Sequence, residues 1–348
     1  MASLPVKAVR RAADLRRILK DTLPWTVSPL VVGAPMRVFS GPSLAVAISR
    51  AGGLGFIGPG ATPQSTGADL AAATELLTKK PIALAPPSDS LLPVGVGLLL
   101  WDGDLDEAAA TIAHHRPCAV WLYAPRDGQA ELDRWTQQLR AASPGTQVWV
   151  QVGTLAEAVA AAASTTARPD VLVVQGAEAG ADAIGGTSAD SRLPLIATGG
   201  IADGRGLVAA LGLGAAGVAM GTRFLAATET RVAKAYQDEV VRATDGAVST
   251  GRTLLYNHLR GTFGWPPGYS PRGLLNQSFS DERAGVPFDE LQRRHDAAAK
   301  TGGTAAWGPN GRVATYAGAG VGLVHSVQGA GEIVDSIRIE AREIIGCL

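Results

Sequence analysis

Short, almost uninterrupted apolar runs recur along this chain, and each is followed by a stretch with Ala and Leu at helical spacing. The runs are Leu30–Gly33, Leu54–Ile57, Val94–Leu100, Ala119–Leu122, Gln147–Val152, Val171–Gln175, Leu195–Thr198 and Gly217–Met220. They do not alternate apolar with polar, so they read as strands buried on both faces, as in a parallel sheet. Helices are expected over Ser43–Ala51, Ala68–Thr78, Leu105–His114, Ala130–Ala142, Leu155–Ala163 and Arg205–Leu213. Strands alternating with helices imply βαβ units. Eight such units point to an α/β protein, a closed (β/α)8 TIM barrel, with an open doubly wound sheet as the main alternative. Residues 176–192 break the rhythm: Gly, Asp, Ser and Thr there leave little room for a sixth helix.

After the eighth run the pattern changes. A polar helix is expected over Thr228–Thr244, an irregular excursion over Asn257–Ser280, and helices over Phe288–Thr301 and Gly331–Ile345. The division this suggests is a barrel at residues 1–226 and, at 227–348, a helical and irregular extension packed on it. The aromatics Trp265, Tyr269 and Trp307 make that extension a candidate lid, bottom cover or dimer contact.

Composition narrows the class. Of 348 residues, 46% are hydrophobic and 18% charged, which suits one barrel plus an appendage. Formal net charge is zero, so the basic footprint of a nucleic-acid or anionic-membrane binder is missing. No apolar run is long enough for a transmembrane helix. The basic Val6–Lys20 stretch lacks the apolar core of a secretory signal. Cys118 and Cys347 form no CxxC pair and no metal-ligand cluster, so no metal site and a reducing, cytoplasmic setting are expected.

Glycine is abundant, at 43 residues, and clusters just after the apolar runs. The sharpest case is Ile196–Ala197–Thr198–Gly199–Gly200–Ile201, with Gly217–Val218–Ala219–Met220–Gly221–Thr222–Arg223 in the next unit. In a barrel, the loops after strands seven and eight form the common phosphate site. Glycine lets backbone N–H groups approach phosphate oxygens, and a helix starting near Asp203 would add its N-terminal dipole. The bland alternative is a pair of tight βα turns. The best GxGxxG match, near Gly199–Gly204, has the wrong spacing for a Rossmann nucleotide site.

Several motifs occur in order: Ala34–Pro35–Met36, Ala51–Gly52–Gly53–Leu54–Gly55, Gln175–Gly176–Ala177–Glu178–Ala179–Gly180, Ala197–Thr198–Gly199–Gly200–Ile201–Ala202–Asp203–Gly204–Arg205, Met220–Gly221–Thr222–Arg223–Phe224 and Tyr316–Ala317–Gly318–Ala319–Gly320–Val321–Gly322. Together they resemble the nitronate monooxygenase family, formerly the 2-nitropropane dioxygenases. The resemblance implies one non-covalent FMN per barrel. It places the backbone of Ala34, Pro35 and Met36 against the flavin ring and Gln151 and Gln175 on the ring's polar edge. It gives Gly180, Gly199, Gly200, Gly221 and Thr222 to the ribityl phosphate. Either glutamine could equally be a strand-end cap.

The sequence departs from the family at one position. The Gln-Gly-x-Asp/Glu-Ala-Gly segment usually continues Gly-His, but here it continues Ala181–Asp182. Histidine titrates near pH 6.5, whereas an ordinary aspartate, with a pKa near 3.9, is anionic at neutral pH. An anion beside an anionic nitronate repels it unless burial raises its pKa. Asp182 could instead serve as base toward a neutral carbon acid, or lie in solvent as a loop residue.

Among the histidines, His114 and His115 read as helix-end residues, and His295 as a solvated residue of a charged helix. His258 and His325 are weaker candidates for the site. The expected function is oxidation of a small organic, nitronate-like substrate, with dioxygen or NAD(P)H as redox partner, by a monomer or homodimer. The rivals are a repurposed FMN barrel catalysing reduction, desaturation or a non-redox rearrangement, and a flavin-binding or scaffold protein without turnover.

Overall fold

Each of the apolar runs forms a strand, and the eight strands close on themselves. The computed structural model describes residues 14–85, 91–175 and 193–347. The strands are β1 (Leu30–Gly33), β2 (Leu54–Ile57), β3 (Leu92–Leu99), β4 (Pro117–Tyr123), β5 (Gln147–Val152), β6 (Val171–Val174), β7 (Leu195–Thr198) and β8 (Gly217–Met220). All neighbours pair in parallel, and β8 closes onto β1 with Gly33 opposite Met220. The open-sheet alternative is thereby excluded. A helix at 14–22, α1, precedes the barrel. The outer ring consists of α2 (Pro42–Arg50), α3 (Pro63–Lys79), α4 (Leu105–His115), α5 (Gly128–Ala142), α6 (Leu155–Ala163) and α7 (Gly204–Gly212). Local chemistry sets the helix starts. Thr154 and Glu157 form a reciprocal capping box on α6, and Asp104 accepts from the Glu107 amide on α4.

The barrel interior is filled by size complementarity. Phe56, Trp121 and Trp149 pack against one another, with centroids 5.2 Å apart for Phe56 to each indole and 6.3 Å between the indoles. Small residues opposite make the space. A Cβ on Gly95 would lie 2.3 Å from the Phe56 ring, and one on Gly217 would lie 2.7 Å from the Leu30 carbonyl oxygen. Both distances are shorter than close-packed carbon contacts allow. Leu19, Leu23 and Trp25 pack against this interior cluster.

Two compact units are distinguishable: Met1–Arg231 with Gln328–Leu348, and Val232–Val327. The C-terminal helix Ala330–Cys347 thus belongs with the barrel, packing on α7 and α2. Its Arg338 is buried and donates to the carbonyls of Pro29, Ala51 and Gly52. These acceptors lie at and beside the C-terminal end of α2, where the helix dipole favours a cation. Burial holds the Arg338 pKa down, at about 10.

The second unit has its own small core of Leu255, Tyr256, Leu259, Leu291 and Ala314. It contains helices Lys234–Arg242, Leu255–Leu259, Gln277–Arg283 and Phe288–Thr301, and a two-stranded antiparallel pair of Thr250–Arg252 with Arg272–Leu274. Two expectations are corrected here. The helix expected over Thr228–Thr244 begins only at Lys234, because the Arg231 amide, which would close a first helical turn on the Ala227 carbonyl, is taken by the Phe39 carbonyl at 2.9 Å. The excursion expected over Asn257–Ser280 carries a strand and the start of a helix, and the buried Tyr256 hydroxyl stands between them, within hydrogen-bond distance of Leu274 O and accepting from the Asn276 amide. His295 is also corrected. It is only 6% exposed, because it shares the apolar face of its helix with Leu291 one turn earlier, and its Nδ1 lies 3.1 Å from Asp296 Oδ1.

The cysteines differ sharply in setting. Cys118 is buried in the barrel, its thiol donating to Val94 O, and burial pushes its pKa up; Cys347 is exposed. One thiol per native chain is therefore expected to react with a maleimide, and two after denaturation. Native labelling of both at similar rates would contradict this burial.

Candidate active site at the C-terminal ends of the barrel strands

Residues that follow parallel barrel strands share one face, so the C-terminal ends of β1, β5, β6, β7 and β8 are brought to the same mouth. The segment after β1 is held rigidly. The Ala34 amide donates to Met220 O at 3.0 Å. Ser40, almost fully buried, accepts from the Met36 amide at 2.6 Å and donates its own amide to Met36 O. Val38 sits at φ +59°, a costly conformation for a β-branched residue and a mark of local strain. Pro35 lies over β3, where a Cβ on Gly97 would come within 2.4 Å of it. At the other end, a Cβ on Gly221 would lie 3.6 Å from Met36 Sδ. Ala34, Pro35 and Met36 therefore bridge from β3 to β8.

The glutamines are joined. Trp121 Nε1 donates to Gln151 Oε1 at 2.9 Å, and Gln151 Nε2 donates to Gln175 Oε1 at 2.5 Å. Gln175 continues the arc, its Cγ 3.4 Å from where a Cβ on Gly199 would stand. The structure thus joins Gln151, Gln175 and Gly199 on one side, and Gly221, Met36 and Pro35 on the other, around one mouth. None of these side chains is ionisable.

The glycines differ in why they are glycine. Gly199 and Gly200 have φ +95° and +71°, which L side chains rarely adopt. The Gly200 and Ile201 amides donate to no described group. Gly221 is more telling. Its φ is −102°, open to any residue, and a Cβ would meet only Met36 at ordinary contact distance. Nothing in the described protein demands glycine at 221, whereas a ligand seated on the backbone would. Thr222 begins the turn Thr222–Leu225 beside it. An anionic group such as a phosphate fits this set: unpaired N–H groups on one loop, an unobstructed backbone on the next, and no carboxylate among the arc residues.

One part of the expected phosphate site is corrected. The N-terminus of α7 is already occupied by carboxylates. Asp203 Oδ1 accepts from the Gly206 amide at 3.0 Å, and Glu340 Oε2 of the C-terminal helix accepts from the Gly204 amide at 2.7 Å. Arg205 bridges the two acids and neutralises part of that charge. The N-terminus of α7 thus already holds two of the chain's own carboxylates, and the Gly200 and Ile201 amides lie on the loop before it.

Gly180 and Asp182 lie outside the described residues. His258 stands in the second unit, its ring stacked on Phe263 at 5.0 Å, and Trp307 of that unit packs edge-on against Tyr236. His325 is exposed. Among the described residues no cluster of His, Cys, Asp or Glu is placed to hold a metal, and no helix is long and apolar enough to cross a membrane. Sequence reasoning missed Ser40, Trp121 and Glu340. Trp121 had a signal: it lies two residues after Ala119 on a strand, hence on the same inward face. Glu340 had none, being 136 residues from its partner.

Two known proteins similar in sequence to this chain share one family. The family model for nitronate monooxygenase matches residues 134–261. A nitronate monooxygenase of Metarhizium robertsii is 57% identical, over 95% of this chain and 96% of its own length. One of Neurospora crassa is 33% identical, over 94% and 93%. The solved structure of FabK from Thermotoga maritima superposes with a TM-score of 0.70 at 24% identity, over 95% of this chain and 97% of that one, a likeness of fold.

Proposed function

This chain belongs to the nitronate monooxygenase family, and on that footing we propose that it holds FMN at the mouth of its barrel and oxidises a small nitronate-like substrate with dioxygen as oxidant. The observation that carries the cofactor reading is Gly221, glycine where neither backbone conformation nor protein packing asks for it. Bound FMN supplies the electron-accepting chemistry, and the chain supplies binding, orientation and electrostatics.

Each part of the arc has a physical task in this reading. The amides of Gly200 and Ile201, with the backbone at Gly221 and Thr222 beside them, hold the phosphate without a charged side chain. The Ala34–Pro35–Met36 bridge, fixed at both ends and apolar, gives a flat wall that excludes water from one side of the ring. Gln151 and Gln175 hold the polar edge. These groups stay neutral at every working pH, so a pH dependence of turnover reports on the substrate or on residues beyond the arc. Asp182, in the family's histidine position, is the first of those.

The test is anaerobic mixing of the purified protein with a donor panel while the yellow absorption of the flavin is followed. A nitronate is expected to bleach it, and dioxygen to restore it. Bleaching by NADH or NADPH with no response to nitronates would overturn the oxidase reading in favour of a reductase. Because Asp182 replaces the histidine, both nicotinamides belong in the panel.

A further inference from the structure

Trp121 is one of two indoles buried in the barrel plug, and the two point their N–H groups in opposite directions along β5. Trp149 Nε1 donates to Gln147 Oε1, at the start of β5, and Gln147 passes a hydrogen bond on to Thr22 of α1. Trp121 Nε1 donates to Gln151 Oε1, near the end of β5 at the barrel mouth. An indole nitrogen can only donate. The atom it meets on Gln151 must therefore be the oxygen, which turns the Gln151 amide nitrogen toward Gln175. That nitrogen can only donate in turn, so it takes the Gln175 oxygen. Two amides that could each face either way are thereby set by one N–H, and the relay ends on the Gln175 NH2, which has no partner among the described residues.

We infer that Trp121 is a positioning residue for the flavin site: its indole N–H fixes Gln175 with the donor edge of its amide presented to the bound ring. The inference rests on the proposed FMN site. Trp121 itself is 2% exposed and acts only through Gln151. A donor facing the ring's polar edge favours the reduced flavin, which carries more negative charge there than the oxidised form. Without the indole N–H, nothing stops both amides from reversing, and Gln175 then presents an oxygen that repels that charge.

The test uses holoprotein and reads the flavin's reduction potential in Trp121→Phe and Trp149→Phe. Both variants keep an aromatic ring in the same cluster, and each removes one indole N–H, at opposite ends of the barrel. Trp121→Phe is expected to disfavour flavin reduction about tenfold, which is a shift of about 30 mV to more negative potential for a two-electron couple. Trp149→Phe is expected to leave the potential at the wild-type value. Gln151→Leu cuts the same relay and also removes the Gln151 amide from the ring's polar edge, so it is expected to shift the potential at least as far in the same direction. The double variant Trp121→Phe/Gln151→Leu should then shift no further than Gln151→Leu alone. Equal potentials in the Trp121 and Trp149 variants would overturn the inference. Additive shifts in the double variant would overturn it as well. A wild-type protein that takes up no flavin would instead overturn the cofactor reading beneath it. Should Trp121→Phe fail to fold, Trp121→Leu, which also lacks the indole N–H, takes its place against Trp149→Phe: no difference in potential between them overturns the inference.

Discussion

Gly200→Ala is expected to yield a folded barrel that loses its flavin, while Gly214→Ala yields one that is equally destabilised and stays yellow. The two glycines are a matched pair. Their φ angles are +71° and +102°, and a Cβ at either would meet nothing within 4 Å. An alanine forced into this region costs roughly 1–2 kcal/mol in either place. Gly214 lies in the turn from α7 to β8, before the strand, whereas Gly200 follows β7 at the mouth. If the loop relaxes to relieve the alanine, the amides of Gly200 and Ile201 turn away from the phosphate. At least a tenfold weaker hold on flavin is expected for Gly200→Ala, with melting temperatures of the two variants close together. Equal flavin affinity in both would remove the loop after β7 from the phosphate site.

Arg338→Ala is expected to have the largest effect on stability. The guanidinium is a buried cation whose partners are three main-chain carbonyls, at Pro29, Ala51 and Gly52. Truncation leaves those carbonyls without donors in a site that water enters poorly. Hydrogen bonds to a charged group contribute about 1.5–3 kcal/mol each, and orphaned buried acceptors cost a similar amount. Shared among three bonds made by one side chain, a loss of about 3 kcal/mol is expected. For a barrel of this size that lowers the melting temperature by about 6–12 °C. Arg338→Lys keeps the charge but not the fork, and should recover only part of the loss. A melting point within 2 °C of wild type for the alanine variant, against the roughly 1 °C scatter set by neutral surface changes, would contradict the structural role.

How much of this was readable in the sequence varies by element for physical reasons. β1, β2, β5, β7 and β8 run where the apolar runs place them, because glycine or a polar residue bounds each run. β3 and β4 extend further. Pro117 opens β4 opposite Leu92, and proline is tolerated at the first residue of a strand even though it lacks an N–H. The helix expected from Thr228 starts late because a tertiary partner, the Phe39 carbonyl, takes the Arg231 amide that would close its first turn, and no local propensity reports on that. The expectation for His295 fails for a different reason. Its helix looks charged in sequence, but the i, i+4 pair with Leu291 defines a narrow buried stripe.

The site divides in the same way. That Ala34, Pro35, Met36, Gln151, Gln175, Gly199, Gly200, Gly221 and Thr222 lie at one mouth follows from a parallel barrel, which sends every strand end to one face; their roles toward a flavin come from the family resemblance. The contacts among them were not legible. That Gln151 and Gln175 form a directed pair depends on Trp121 across the ladder, and that the Gly204 amide is also taken, beyond the local Asp203 cap, depends on Glu340 near the chain's end. Both are products of closure and not of local sequence.

The most direct measurement is to denature the purified protein and identify the flavin it releases. FMN, at about one per chain, is the predicted result, since the arc offers a single phosphate cradle and no nucleotide-binding Rossmann spacing. FAD in its place, or a chain that stays colourless after FMN is added, would contradict the account at its centre.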